Sequence, residues 1–78
     1  MPRKHKPLET FPRRLRMALM ARDMNSADLV RATNLGGGQV SNYLNGYQEP
    51  GATRIAQMCK ALNVSADFLL GLTDKMKG

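Results

Sequence analysis

The side chains best suited to specific recognition lie between residues 25 and 46. Four polar residues recur there on the side of a predicted helix that its apolar stripe leaves free: Gln39, Ser41, Asn42 and Asn45. A side-chain amide donates and accepts hydrogen bonds at once, so Gln39 and Asn42 can pair with N7 and N6 of adenine. Ser41 is a weaker candidate for the same role. These residue types predict base readout in a DNA groove.

Two short helices joined by a tight corner are predicted to present this face. Asn25 suits the N-cap of the earlier helix, with Asp28 completing a reciprocal cap. Asn34 falls at the corner, since Asn is one of the few non-glycine residues that tolerate a left-handed conformation. The later helix has apolar residues at helical spacing, namely Leu35, Val40, Tyr43 and Leu44.

Three consecutive glycines, Gly36 to Gly38, open the later helix. A glycine inside a helix costs about 1 kcal/mol relative to alanine. A nucleotide loop would need a preceding strand and a following Lys with Ser or Thr, and neither pattern is present. The run therefore predicts a helix start where the backbone N–H groups of Gly37 and Gly38 approach a DNA phosphate closely. The alternative is a segment that becomes ordered only on binding.

The charge of the chain is concentrated at its beginning. Residues 1–22 contain seven basic side chains and one acidic one, so they hold the whole net charge of +6. The rest of the chain is balanced, which points to a polyanionic partner, although a solubilising segment would look the same. Arg13, Arg14 and Arg16 oppose the dipole of the first helix, so we expect them to contact phosphates.

Apolar spacing predicts an all-α fold of five helices. Thr10 is predicted to cap the first helix, with Pro12 in its first turn, where a missing N–H has no cost. Three methionines along and after this helix, Met17, Met20 and Met24, read as core filler.

The fourth and fifth helices complete the predicted domain. The fourth follows Pro50–Gly51, while Ser65 caps the fifth and Gly71 ends it. The expected organisation is a flexible basic arm over residues 1–10, one domain over 11–72 and a mobile tail over 73–78. The arm follows the phosphate backbone or enters a minor groove, or is a frayed terminus.

Several classes of protein and site are excluded by residue content. A single Cys59 and a single His5 make neither a disulfide nor a zinc site, which favours a reducing compartment. No apolar run approaches the roughly 20 residues that cross a bilayer. No carboxylate pair is placed for acid–base chemistry, so we expect no enzyme, catalytic residue, cofactor, metal or small-molecule substrate.

Two further features complete a familiar pattern: Asn45–Gly46 followed by Pro50, and the run ALNVSADFLLG over 61–71. With these, residues 11–71 resemble the five-helix, lambda-repressor-like helix-turn-helix domain of lambdoid phage repressors and Cro proteins, the XRE-type family. The resemblance implies a compact domain that binds double-stranded operator DNA in the cytoplasm of a bacterial host, at the nucleoid.

The resemblance also implies roles for individual residues. Ser26 stands where the family often contacts phosphate, and Asn45 matches another frequent phosphate contact. Asn42 falls on a base-reading position, as do Gly37 and Gly38, which have no side chain to read with. Three departures from the family pattern are the replacement of a turn glycine by Asn34, of a small alanine by Val30, and of an apolar residue by Thr33.

The resulting expectation is a phage-type transcriptional regulator, Cro-like or repressor, that binds a palindromic operator as a homodimer. Its third helix would lie in the major groove. With two reading positions lacking side chains, DNA shape should contribute to specificity. The alternative function is a protein-interaction module, such as an antitoxin or antirepressor, in which DNA binding is secondary.

Overall fold

A computed structural model describes residues 7–77 and shows five helices. In chain order they are α1 (Pro7–Ala21), α2 (Ser26–Thr33), α3 (Gly37–Leu44), α4 (Ala52–Leu62) and α5 (Ala66–Leu69). Within that part of the chain there is no strand, so the predicted five-helix all-α fold is confirmed.

Helix α1 begins earlier than the sequence predicted. It starts at Pro7, so Thr10 lies inside the helix and does not cap it, and Pro12 is an interior residue. Proline suits the first position of a helix, because the N–H that it lacks would have no partner there. Residues 7–10 thus belong to α1 and not to an arm. Residues 1–6 fall outside the described part, and the arm there stays a prediction.

The core lies between α1 and the helices that pack on it, and it extends between α2, α3 and α4. The predicted α1 stripe of Phe11, Leu15, Ala18 and Leu19 is buried. This stripe packs against α3 and α5, while α2 packs against α3 and α4. Of the methionines predicted as core filler, Met24 packs against the core, whereas Met17 and Met20 are 42% and 80% exposed.

Each helix is followed by a residue with positive φ, and only two of these residues are glycines. The five are Asp23, Asn34, Gly46, Asn63 and Gly71. The predicted left-handed corner is confirmed by Asn34, at φ 62°. After α3, Gly46 N–H donates to Tyr43 O and Tyr47 N–H donates to Asn42 O, so the carbonyls at the helix end are satisfied.

Helix α2 accommodates its polar residues through local hydrogen bonds. The predicted reciprocal cap is present, since Asn25 Oδ1 accepts from Asp28 N–H and Asp28 Oδ2 accepts from Asn25 N–H. The buried Thr33 hydroxyl donates to Leu29 O at 2.6 Å and accepts from Leu35 N–H at 3.3 Å. A hydroxyl at this apolar position is tolerated because both its donor and its acceptor functions are used.

The C-terminal segment contacts the domain, although a mobile tail was predicted. Ser65 N–H donates to Met76 O at 2.6 Å, and the Met76 side chain packs against the core. Arg14 of α1 donates to Thr73 O at 2.8 Å. These contacts hold the chain through Met76 on the body.

Prediction: Gly71→Ala should lower the free energy of unfolding by about 1–2 kcal/mol. Gly71 has φ 81°, and an added Cβ would lie 2.4 Å from Thr10 Cγ2. Urea titration of Gly71→Ala, Thr10→Ser and the double variant separates the steric contact with Thr10 from the backbone strain at positive φ. Thr10→Ser removes the clashing methyl, so it should recover the steric part of the loss but not the backbone part. Unchanged stability in Gly71→Ala would contradict this account.

Candidate nucleic-acid interface

Helix α3 presents a polar surface because its apolar side is fixed in the core. Val40 and Tyr43 are 0% and 1% exposed. At 3.6 residues per turn, burying these positions turns Ser41, Asn42 and Asn45 outward, and all three are exposed. These three residues, with Gln39 and the Gly36–Gly38 run, are called the α3 surface below.

The beginning of α3 leaves backbone donors open. Gly36 is the N-cap residue, at φ −69° and ψ 148°, and no side chain caps the helix. The first intrahelical bond is made by Val40 N–H, so the N–H groups of Gly37, Gly38 and Gln39 have no partner within the helix. A Cβ at any of the three glycines would meet nothing within 4 Å. The fold does not require glycine there, and the exposed N–H groups suit an anion.

Gln39 lies at the edge of the α3 surface and is not fully solvated. Its side chain is half-buried, and Nε2 donates to Tyr43 Oη at 2.9 Å. The Oε1 atom and the second N–H remain for another partner, which is the pair of groups that a bidentate contact to adenine needs.

Asn42 contacts a loop residue that the sequence did not single out. Its Nδ2 donates to Gln48 Oε1 at 3.4 Å. The positive φ of Gly46 turns the chain back along α3, and Tyr47 N–H then donates to Asn42 O at 2.9 Å. The loop therefore extends the α3 surface by Gln48 and by Tyr47, which is 79% exposed. No local sequence signal predicts this contact, since it depends on the path of the loop.

Asn45 closes α3 and bonds back to it. Its Nδ2 donates to Ser41 O at 2.9 Å and to Ser41 Oγ at 3.3 Å. The amide nitrogen expected to reach a phosphate is thus engaged with Ser41, one turn earlier in the helix. Ser26 is exposed at the start of α2, as a phosphate contact requires.

The three arginines of α1 have different surroundings. Arg14 has only 17% of its side chain exposed, and its guanidinium lies 4.6 Å from the Phe68 ring centroid. It also pairs with Asp74 at 2.9 Å. This arginine therefore joins α1 to α5 and the C-terminal segment, and these contacts engage the guanidinium for which a phosphate contact was predicted.

The other two arginines, Arg16 and Arg13, are exposed, as the predicted phosphate contacts require. Arg16 donates to Leu44 O, the last residue of α3, at 2.9 Å, and its side chain is exposed. Positive charge is favourable at a helix C-terminus. Arg13 is also exposed. At 100° per residue, Arg14 and Arg16 lie on opposite sides of the buried stripe of α1. Of these two residues, Arg16 is the one that contacts α3.

The described residues give little support to a metal site, a reactive thiol or a membrane-spanning helix. Over residues 7–77 no group of three or more His, Cys, Asp or Glu side chains could hold a metal ion. Cys59 is half-buried, and burial raises the pKa of its thiol, so the reactive thiolate is disfavoured at neutral pH. No helix in the described range is long and apolar enough to cross a membrane.

Comparison with known proteins identifies the class of the domain. The Cro/C1-type HTH DNA-binding domain matches residues 14–75. The chain belongs to this family, which consists of DNA-binding regulators and not of enzymes. Comparison with curated proteins gives no sequence match.

Two crystal structures have similar folds. One is the restriction-modification controller protein C.AhdI from Aeromonas hydrophila, with a TM-score of 0.76 and 22% identity, covering 83% of this chain and 98% of that one. The other is the clp gene regulator ClgR from C. glutamicum, with a TM-score of 0.78 and 22% identity, covering 88% of this chain and 90% of that one. Both likenesses support the five-helix fold described above.

Prediction: Arg14→Ala should lower the free energy of unfolding by about 1–3 kcal/mol, because it removes charged hydrogen bonds from a largely buried group. Arg13→Ala is the matched control, an exposed arginine on the same helix, and should change stability by less than about 0.5 kcal/mol. Thermal and urea unfolding measure both. Equal losses in the two variants would show that the contacts of Arg14 do not stabilise the fold.

Proposed function

We propose that this domain is a transcriptional regulator that binds palindromic operator DNA as a homodimer, with one α3 in each of two successive major grooves. The observation that carries the proposal is the α3 surface, which combines unfilled backbone donors at its start with outward amides along its length. Backbone N–H groups suit phosphates, and amides suit base edges. Membership of a DNA-binding family supports the same use of this helix.

The division of roles follows from which groups are available. Asn42 and Gln39 retain an amide oxygen and an N–H for adenine, and Ser41 stands beside them. Phosphate contacts are assigned to the N–H groups of Gly37 and Gly38 and to Ser26. Arg13 and Arg16 would add positive charge.

Asn45 and Arg14 have smaller parts in this proposal than the sequence suggested. The amide donors of Asn45 are directed to Ser41, so a phosphate contact there requires the side chain to turn. Arg14 acts by holding the fold.

The size of α3 supports a dimer. Its 8 residues span about 12 Å at 1.5 Å per residue. Base pairs are spaced about 3.4 Å apart, so one such helix reaches only three or four of them. A second copy related by two-fold symmetry would double the site and make it palindromic, with half-sites about one helical turn apart. We propose a Cro-like regulator of phage type as the particular form of this function.

The direct test is selection of bound duplexes from a random pool, followed by sizing of the protein–DNA complex. The proposal expects an inverted repeat with half-sites about 10 base pairs apart and two protein copies per duplex. Affinity should fall steeply as salt is raised. No salt-dependent binding to any duplex would contradict the proposal and favour a protein-interaction module.

Prediction: Asn42→Ala should weaken binding to the selected duplex by about 1–3 kcal/mol and relax the preference at one base pair per half-site. Titrations on the selected duplex and on versions changed at each position measure this. Gln57→Ala, on α4, is the control and should bind like the wild type. An equal loss on selected and random duplexes would show that Asn42 does not read a base.

Prediction: Gly37→Ala should raise the free energy of unfolding by about 0.4–1 kcal/mol, since the residue is helical and a Cβ meets open space. The same substitution should weaken binding to selected and random duplexes alike, because the methyl group holds the phosphate away from the N–H groups. Calorimetry and DNA titration give the two quantities. Higher stability with unchanged affinity would remove the glycine run from the DNA contacts.

A further inference from the structure

The amide of Gln39 is held by a residue that does not itself belong to the α3 surface. Gln39 Nε2 donates to Tyr43 Oη at 2.9 Å. The two residues are four apart on α3, which makes their side chains neighbours on the helix. Gln39 is half-buried at the edge of the surface, and Tyr43 lies beneath it with 1% exposure.

Tyr43 is in turn fixed by the core. Its ring meets the Phe11 ring edge-on, with centroids 6.4 Å apart and an interplanar angle of 88°. It is the largest of the fully buried side chains. A phenol oxygen moves only with its ring, so a ring packed in this way holds the hydroxyl at one position relative to the α3 backbone.

We propose that Tyr43 is a positioning residue for DNA recognition, whose hydroxyl orients the Gln39 amide toward the base that Gln39 reads. The inference rests on the proposed function and adds a specificity-determining residue to it. Tyr43 does not contact DNA in this proposal. It acts through the single hydrogen bond to Gln39.

The chemistry of the amide allows both contacts at once. An amide NH2 group has two hydrogens, one on the side of the carbonyl oxygen and one on the opposite side. A bidentate contact to adenine uses the oxygen and the hydrogen beside it. The other hydrogen is left for Tyr43 Oη. The intramolecular bond therefore does not compete with the base, and it reduces the rotamer freedom that Gln39 would lose on binding.

Tyr43→Phe tests the proposal, because it removes the hydroxyl and keeps the ring that packs on Phe11. Selection from random duplexes with the wild type and with Gln39→Ala first identifies the base pair whose preference depends on Gln39. Titrations with Tyr43→Phe then use the selected duplex and the same duplex changed at that pair. We expect the preference at that pair to fall by about three- to tenfold, as for loss of one neutral hydrogen bond.

Two control variants separate positioning from other effects. In a Gln39→Ala background, Tyr43→Phe should change the preference no further, because the group that it orients is gone. Gln57→Ala, on α4, should leave the preference at this pair unchanged. An unchanged preference in Tyr43→Phe, where Gln39→Ala abolishes it, would overturn the proposal. So would an equal loss of affinity on all duplexes.

A second measurement needs no substitution and covers the case in which Tyr43→Phe does not fold. In the free wild-type protein, NMR relaxation of side-chain amides should give Gln39 a clearly higher order parameter than the exposed Gln48, whose oxygen accepts only the 3.4 Å contact from Asn42. Equal, low values for the two would overturn the proposal. Absence of any duplex binding by the wild type would overturn the proposed function as well, whereas loss of the Tyr43 effect alone would leave that function standing.

Discussion

The burial of Val40 and Tyr43 in the core is the constraint on which the rest of the structure depends. Because side chains advance by about 100° per residue along a helix, fixing these two positions in the core fixes which side of α3 faces outward. The edge-on contact between Tyr43 and Phe11 ties that orientation to α1, the longest helix. The packing behind α3 therefore decides which side chains the α3 surface presents.

Two arginines of α1, and Arg22 in the turn directly after it, donate hydrogen bonds to carbonyl oxygens of other elements. Arg22 donates to Leu62 O at 2.7 Å and to Asn63 O at 2.9 Å, at the end of α4. Arg16 does the same at the end of α3, and Arg14 at Thr73. Positive charge is favourable at helix C-termini, so part of the basic character of the chain stabilises the fold.

The order and ends of the helices could largely be predicted from the sequence, because local chemistry decides them. Asn25 and Ser65 accept the N-cap bonds expected of them, and Asn34 and Gly71 have the positive φ that ends a helix. The start of α1 was predicted too late, because Thr10 followed by Pro12 has the pattern of an N-cap and the first turn of a helix.

The contacts of the candidate site were harder to predict, since they join residues distant along the chain. The approach of Asn42 to Gln48 depends on how the loop after Gly46 turns back, and the bonds of Arg14 depend on where the C-terminal segment lies. Composition cannot distinguish an arginine that contacts phosphate from one that binds a carbonyl. The pairing of Gln39 with Tyr43 could have been predicted from the sequence, because residues four apart on a helix are neighbours.

The central claim is that the outward side of α3 binds DNA. The most direct measurement is an NMR titration of the labelled protein with the selected duplex, observing backbone and side-chain amides together. We expect the largest shifts at the backbone N–H groups of Gly37 and Gly38 and at the side-chain amide of Asn42. Shifts confined to α4, α5 and the segment around Asp74, with the α3 surface unchanged, would contradict it.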